Sequence, residues 1–174
     1  SSHLSTGRPM GRERRAALLA WARDSVAWVM EDDYDANIRF DGQWPSPPLK
    51  SEDSDNRVIL VASFNRLLFC SLRLGFMAVP PKLLKALLRA RQAVDQFVNL
   101  PNQVVLRAFI EEGGYAAHLR QCRELYQSRR RALLDVLEPY CATVISPHFN
   151  PCALYLVLRP LRISADELAL RLAV

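Results

Sequence analysis

An α/β fold is the architecture this sequence predicts: a parallel-rich sheet with flanking helices, leading into a small α+β C-terminal lobe. Three observations predict it. Apolar runs at 26–30 and 58–62 are short and bounded by polar residues, as buried strands are. Helical and strand patterns alternate up to about residue 80. After that helical patterns dominate, and a small β/α unit follows Pro139.

The elements follow in order. Residues 11–25 carry Ala16, Ala17, Leu18, Leu19 and Trp21 among arginines, an amphipathic helical pattern. The run 26–30 is the first strand, ending in acids. Residues 36–57 are irregular, because Pro45, Pro47 and Pro48 forbid regular structure and 51–56 is polar throughout. Residues 58–62 form the second strand, and 72–79 a third, broken by Gly75. Pro80 and Pro81 open a long helix with Leu83, Leu84, Leu87 and Leu88 on its apolar side. Pro101 opens another, which Gly113 and Gly114 close, and 115–137 is a third, long and basic. Strands are expected at 142–146 and 153–158. Ser164 then starts a helix with a capping box, since Glu167 lies three residues on.

Three regions result: 1–100 as part of a large domain, 101–138 as connecting helices, and 139–174 as the start of a small C-terminal domain. Three parallel strands alone would leave open edges. The chain also begins at what reads as a strand-end loop, so a piece of something larger is expected.

Composition sets bounds. At 174 residues and 50% hydrophobic content, the chain can build a real core. It has no apolar run of about 18 residues and no signal-peptide core at its start. A cytoplasmic protein without membrane contact is expected. Cys70, Cys122, Cys141 and Cys152 lack CxxC spacing and read as buried free thiols. The net charge of +5 gathers in two clusters, Arg12, Arg14 and Arg15, then Arg120, Arg123, Arg129, Arg130 and Arg131. Acidic neighbours such as Glu13, Glu124 and Asp135 make these solvated helix faces, with no aromatic platform or DNA-reading motif beside them.

Two segments carry the chemistry. The first, at 31–42, reads EDDYDANIRFDG; the second, at 62–76, reads ASFNRLLFCSLRLGF. An acid, Asp32, follows one strand, where ligands of open α/β sheets gather. Such a carboxylate can pair with a protonated pyridine nitrogen, with Tyr34 on the same side if the backbone stays extended. Taken alone, the first segment equally fits a solvated loop or a metal site. The second adds a cation after the next strand and an arginine seven positions later.

Together they resemble the aminotransferase-like domain of the MocR/GabR group of GntR-type transcriptional regulators, within the fold-type-I pyridoxal-phosphate-dependent class I/II transferases. The group's motifs read EDDYDxEFRYDG and GTFSKxLFPSLRLGY, and both align here without a gap. The similarity extends through Val79, Pro80 and Pro81 and along Gly114 to Arg120. The resemblance implies that Asp32 partners the pyridine nitrogen of pyridoxal 5'-phosphate and that Tyr34 neighbours the ring hydroxyl. It makes Arg73 the phosphate-binding arginine and Ser63 a phosphate hydroxyl donor. It implies a homodimer, with the site at the two-fold interface.

The departures cluster at ligand-facing positions. Arg66 occupies the Schiff-base lysine position, Asn65 replaces the adjacent serine, and Cys70 replaces a proline. The family's PSHQFPTG loop shrinks to residues 2–7, and its later GLH reads Ala153, Leu154, Tyr155. A guanidinium stays protonated and cannot be the free amine that forms a Schiff base. No catalytic residue is therefore assigned. The family's N-terminal winged helix-turn-helix DNA-binding domain, the upstream half of its large domain and its C-terminal substrate arginine are not among these residues.

The leading expectation is a catalytically inactive effector or regulatory module, with the cofactor bound non-covalently or lost, and without specific DNA binding of its own. The alternative is a fragment of an active pyridoxal-phosphate-dependent class I/II aminotransferase acting on an amino acid, which needs Lys50, Lys82 or Lys85 as a surrogate. A dimerisation remnant without ligand is the third.

Overall fold

In the computed structural model, residues 10–33, 47–95, 97–148 and 154–172 are described. Helix α1 spans Arg12–Asp24 and ends where the N–H of Ser25 turns back to Trp21 and Arg23. The next residue, Val26, has a left-handed φ of 53°. The first strand cannot start there. Strand β1 runs instead over Val29–Asp33, so the acids lie inside the strand rather than after it.

Strand β2, Val58–Ser63, pairs with β1 in parallel register from Val29 opposite Val58 to Asp33 opposite Ala62. The β2 interior is apolar, and Val58, Ile59 and Leu60 are all buried. Strand β3, Gly75–Ala78, completes the order β1-β2-β3 but runs antiparallel to β2. This corrects the expectation of three parallel strands. Residues 64–74 are too few for a crossover of a dozen or more residues, so the chain can only turn back. At the turn Ser63 faces Gly75, where any Cβ would stand 2.7 Å from the Ala62 carbonyl oxygen.

Helices follow much as the proline and glycine signals predict. They are α2 (Pro81–Val94), α3 (Leu100–Glu111) and α4 (Gly114–Leu137). Asn99 caps α3 by accepting the N–H of Asn102 at 3.2 Å. Gly113, at φ 79°, supplies the left-handed residue between α3 and α4. Helix α2 has no buried residue, and Leu84 and Leu88 are about half exposed.

The small unit pairs β4 (Ile145–His148) with β5 (Val157–Pro160), antiparallel, followed by α5 (Ala165–Leu172). Both strands begin three or four residues later than expected. The left-handed Ala142 delays β4, because its N–H closes a turn onto the Ile145 carbonyl at 3.0 Å. The Ser164 hydroxyl oxygen accepts the N–H of Glu167 at 3.1 Å, forming one half of the expected capping box.

Among the described residues, two charged side chains, Arg15 and Glu31, are buried. Arg15 is 6% exposed and grips Glu52, with its Nη2 2.9 Å from Oε1, while also donating to the Pro47 carbonyl. One member of the first arginine cluster is thus a tether, not part of a solvated face. In the second cluster Arg123 and Arg130 are half-buried, and burial lowers the Arg130 pKa. Among the described cysteines, Cys122 is buried as expected, Cys141 is partly covered and Cys70 is exposed, unlike the expected buried thiol; all three are free, and Cys152 lies outside the described residues. Among the described residues, no helix is long and apolar enough to cross a membrane.

Candidate functional site

Strands β1 and β2 are parallel, so both deliver their C-terminal residues to one edge of the sheet. Alternation then sorts the acids of β1. Glu31 turns to the covered face and is 4% exposed, accepting the N–H of Leu49 at 2.6 Å and of Lys50 at 2.9 Å. Asp32 points to the opposite face and is exposed. Its register partner is Val61, two residues before Ser63 on β2, so Asp32 and Ser63 share a face. Tyr34 lies outside the described residues.

Residues 64–74 form the loop that follows. The Ser63 hydroxyl oxygen accepts the Asn65 N–H at 3.2 Å, and the Asn65 side-chain oxygen accepts the Leu74 N–H at 3.0 Å. The Phe64 N–H reaches the Leu74 carbonyl at 3.1 Å. These bonds draw the loop's two ends together beside Ser63. Arg73, exposed and one residue before Leu74, stands there in a left-handed conformation with φ 53° and ψ 41°.

Arg66 is half-buried further along the loop. Burial pulls its pKa below the ordinary value, opposed by the phenols of Tyr155 and Tyr126. A guanidinium so shifted still carries its proton across the physiological range. Phe64 packs its ring 5.7 Å from Phe76 and, edge-on, 5.7 Å from Tyr115. Next to Arg66, the Leu67 carbonyl lies 2.6 Å from Nε2 of His118 on α4, and Cys122 Sγ sits 3.2 Å from the same nitrogen. Across the loop, Asn102 of α3 donates to the Leu72 carbonyl at 3.1 Å.

A groove of about 1100 Å³ opens beside this loop, walled by β3, α2 and α3. It reaches Arg73, Phe64 and Val61, but its walls include neither Asp32 nor Arg66. Parallel register puts Asp32 and Ser63 on one face at the C-terminal edge of β1 and β2, and the bonds to Leu74 bring the Arg73 backbone to that edge. Arg66 lies further along the loop, with Tyr126 of α4 and Tyr155 near it. The sequence has three lysines. Lys50 is bound to Asp53, while Lys82 and Lys85 are exposed on α2.

Sequence reasoning missed Glu31, Asn102 and His118 as organising residues. Each acts through a backbone partner at least 18 positions away, which no local pattern reveals. Among the described residues, no group of three or more histidine, cysteine, aspartate or glutamate side chains could hold a metal ion; residues 34–42 of the acidic segment lie outside them.

Comparisons with known proteins agree with the α/β fold. No protein-family model matches the chain. It is 34% identical over 173 residues to the uncharacterized HTH-type transcriptional regulator YhdI of Bacillus subtilis, covering 99% of this chain and 37% of that protein. It is 36% identical over 164 residues to the probable rhizopine catabolism regulatory protein MocR of Rhizobium meliloti, covering 94% of this chain and 33% of the relative. The chain thus spans about a third of the length of these curated relatives. Among solved structures, Pyrococcus horikoshii kynurenine aminotransferase superposes with a TM-score of 0.86 at 27% identity, over 96% of this chain and 41% of that one.

Proposed function

We propose that this chain, an aminotransferase-like relative of the MocR-type transcriptional regulators, serves as a ligand-sensing module that does not catalyse transamination. The observation that carries it is the guanidinium of Arg66 in the loop after β2, where the family pattern has its lysine. Transamination needs that amine twice, as attachment point and as the base that moves a proton between carbons. Arg66 can do neither at neutral pH.

The remaining residues fit the ring and phosphate of pyridoxal 5'-phosphate without a covalent bond. Asp32 and Ser63 share the exposed face, and the bonds of Asn65 and Phe64 to Leu74 hold Arg73 beside Ser63. Asp32 would pair with the protonated ring nitrogen, while Ser63 and Arg73 would hold the phosphate. When bound, the group supplies an electron-withdrawing ring. Without an attached amine, that ring serves recognition here rather than turnover.

The assembly is a homodimer in this proposal, with the division at about residues 100 and 138 separating large-domain, connecting and small-domain parts. DNA is read elsewhere in such regulators, because base readout needs an element shaped for a groove. The exposed Arg120, Arg129 and Arg131 can contribute only charge to nucleic acid.

The deciding experiment is spectroscopic. Protein mixed with pyridoxal 5'-phosphate should perturb the cofactor's absorbance saturably, and dialysis should release it fully. A cofactor band that survives dialysis would overturn the non-covalent assignment.

A further inference from the structure

We infer that Asn102 and His118 are positioning residues that set the two arginines of the β2–β3 loop. The gripped carbonyls lie next to the two cations: Leu72 immediately precedes Arg73, and Leu67 immediately follows Arg66. The donors come from successive helices, α3 and α4, joined only through Glu112 and Gly113. The helix pair therefore holds the loop at two points, one beside each arginine.

The Asn102 bond acts directly on backbone shape. The Leu72 carbonyl belongs to the peptide that links Leu72 to Arg73, so fixing its direction fixes the peptide plane from which the φ of Arg73 is measured. That φ is 53°, in the left-handed region that a side chain with a Cβ disfavours. Left alone, the chain would relax to φ below zero and change the direction in which the Arg73 side chain leaves the loop. Leu72 itself is 5% exposed, so its carbonyl is held at the edge of the core.

The His118 bond settles a proton. A carbonyl has none to give, so the hydrogen must sit on Nε2. Cys122, 3.2 Å from that nitrogen, then packs against it as a weak acceptor. Burial raises the Cys122 thiol pKa and keeps the sulfur neutral. The Phe109 ring lies nearby, its centroid 6.5 Å from that of the imidazole and its plane tilted by 60°. On the loop, Phe64 and Leu67 are three residues apart; on α4, Tyr115 and His118 are also three apart. The two pairs meet one to one.

The ordering of the loop stands independently of any ligand. Only its consequence, that Asn102 sets phosphate affinity through Arg73, rests on the function proposed above. Hydrogen exchange of the full chain without ligand tests the ordering. Asn102→Leu and His118→Leu should each speed exchange of loop 64–74 amides at least tenfold and leave 29–33 within twofold. His118→Gln, which keeps a donor at similar reach, should stay within threefold of the parent. In an Arg73→Gly background the Asn102→Leu effect should fall below threefold, because glycine needs no help to hold that φ. Unchanged loop exchange, or acceleration spread equally over β1, would overturn the assignment, as would an undiminished effect in the glycine background. Titration with pyridoxal 5'-phosphate forms the second arm, where Asn102→Leu should weaken binding at least fivefold. If the parent binds none, the ligand proposal falls while exchange still judges the clamp.

Discussion

Nζ of Lys50 lies 3.0 Å from Oδ2 of Asp53, and that carboxylate also accepts the N–H groups of Arg57 and Val58 at the start of β2. The pair sits at the opposite end of β2 from the Arg66 loop, about 16 Å away over six strand residues. On the proposed function, Lys50 held in this pair would not serve as a surrogate amine. Borohydride reduction in the presence of pyridoxal 5'-phosphate, followed by peptide mass spectrometry, should leave Lys50 and residues 60–70 unmodified. A stoichiometric adduct on one lysine would restore the enzyme alternative.

Acid should weaken the fold partly through the same carboxylate. Burial raises the Asp53 pKa, but the backbone N–H groups of Arg57 and Val58 and the Lys50 ammonium together outweigh it, leaving it below its ordinary 3.8. A folded pKa below the unfolded value stabilises above the unfolded value, near 3.9, and that contribution is lost as pH falls through the folded pKa. Denaturation measured between pH 3 and pH 5 should therefore show a shallower acid loss in Asp53→Asn than in the parent. Equal slopes would show that Asp53 does not contribute.

Glu31→Ala removes the acceptor for two backbone donors at Leu49 and Lys50, one of them in a buried bond. Each donor left unsatisfied costs about 1–3 kcal/mol, so urea unfolding should report a loss of about 2 kcal/mol or more. Glu31→Gln keeps one acceptor and should lose less.

Gly75→Ala places a methyl group 2.7 Å from the Ala62 carbonyl, in the last pair of the β2–β3 ladder. Backbone must move to admit it, at about 1–3 kcal/mol. The shift should appear as a lower thermal midpoint together with faster exchange at 60–63, and an unchanged midpoint would mean that β3 slides freely.

The groove beside β3 and α2 leaves Phe76, Met77, Leu84 and Leu88 close to half exposed. Apolar faces of this kind favour association. Sedimentation velocity at tens of micromolar protein should give a dimer or larger species. A compact monomer would count against both the homodimer and the stickiness of this face.

Where sequence and structure agree, a local rule was sufficient. The β-branched and aliphatic run of β2 is buried where expected; Pro81 and Pro101 mark helix starts by fixing φ, and Gly113 marks a boundary by taking the positive φ that other residues disfavour. The disagreements arise where a distant partner decides. Glu31 looks like a strand-ending acid until the Leu49 and Lys50 amides satisfy it from 18 residues away, which lets β1 continue through it. Arg15 looks solvated until Glu52 and Pro47 come to meet it. In the candidate site, residue types were legible from the motifs, but the partners that orient them were not, because Asn102 and His118 act on backbone carbonyls rather than on matching side chains.

The bond from Asn65 to Leu74 gives the loop a history as well as a shape. The family pattern has serine at that position, whose shorter side chain lacks the reach of a carboxamide. In this chain the carboxamide fastens the loop's far end. If the proposed function holds, Arg66→Lys alone would place its amine in a loop still fastened through Asn65, and should not by itself give transamination. On the proposed function, the carboxamide at 65 would remain as a second obstacle to that reversal, separate from the residue at 66.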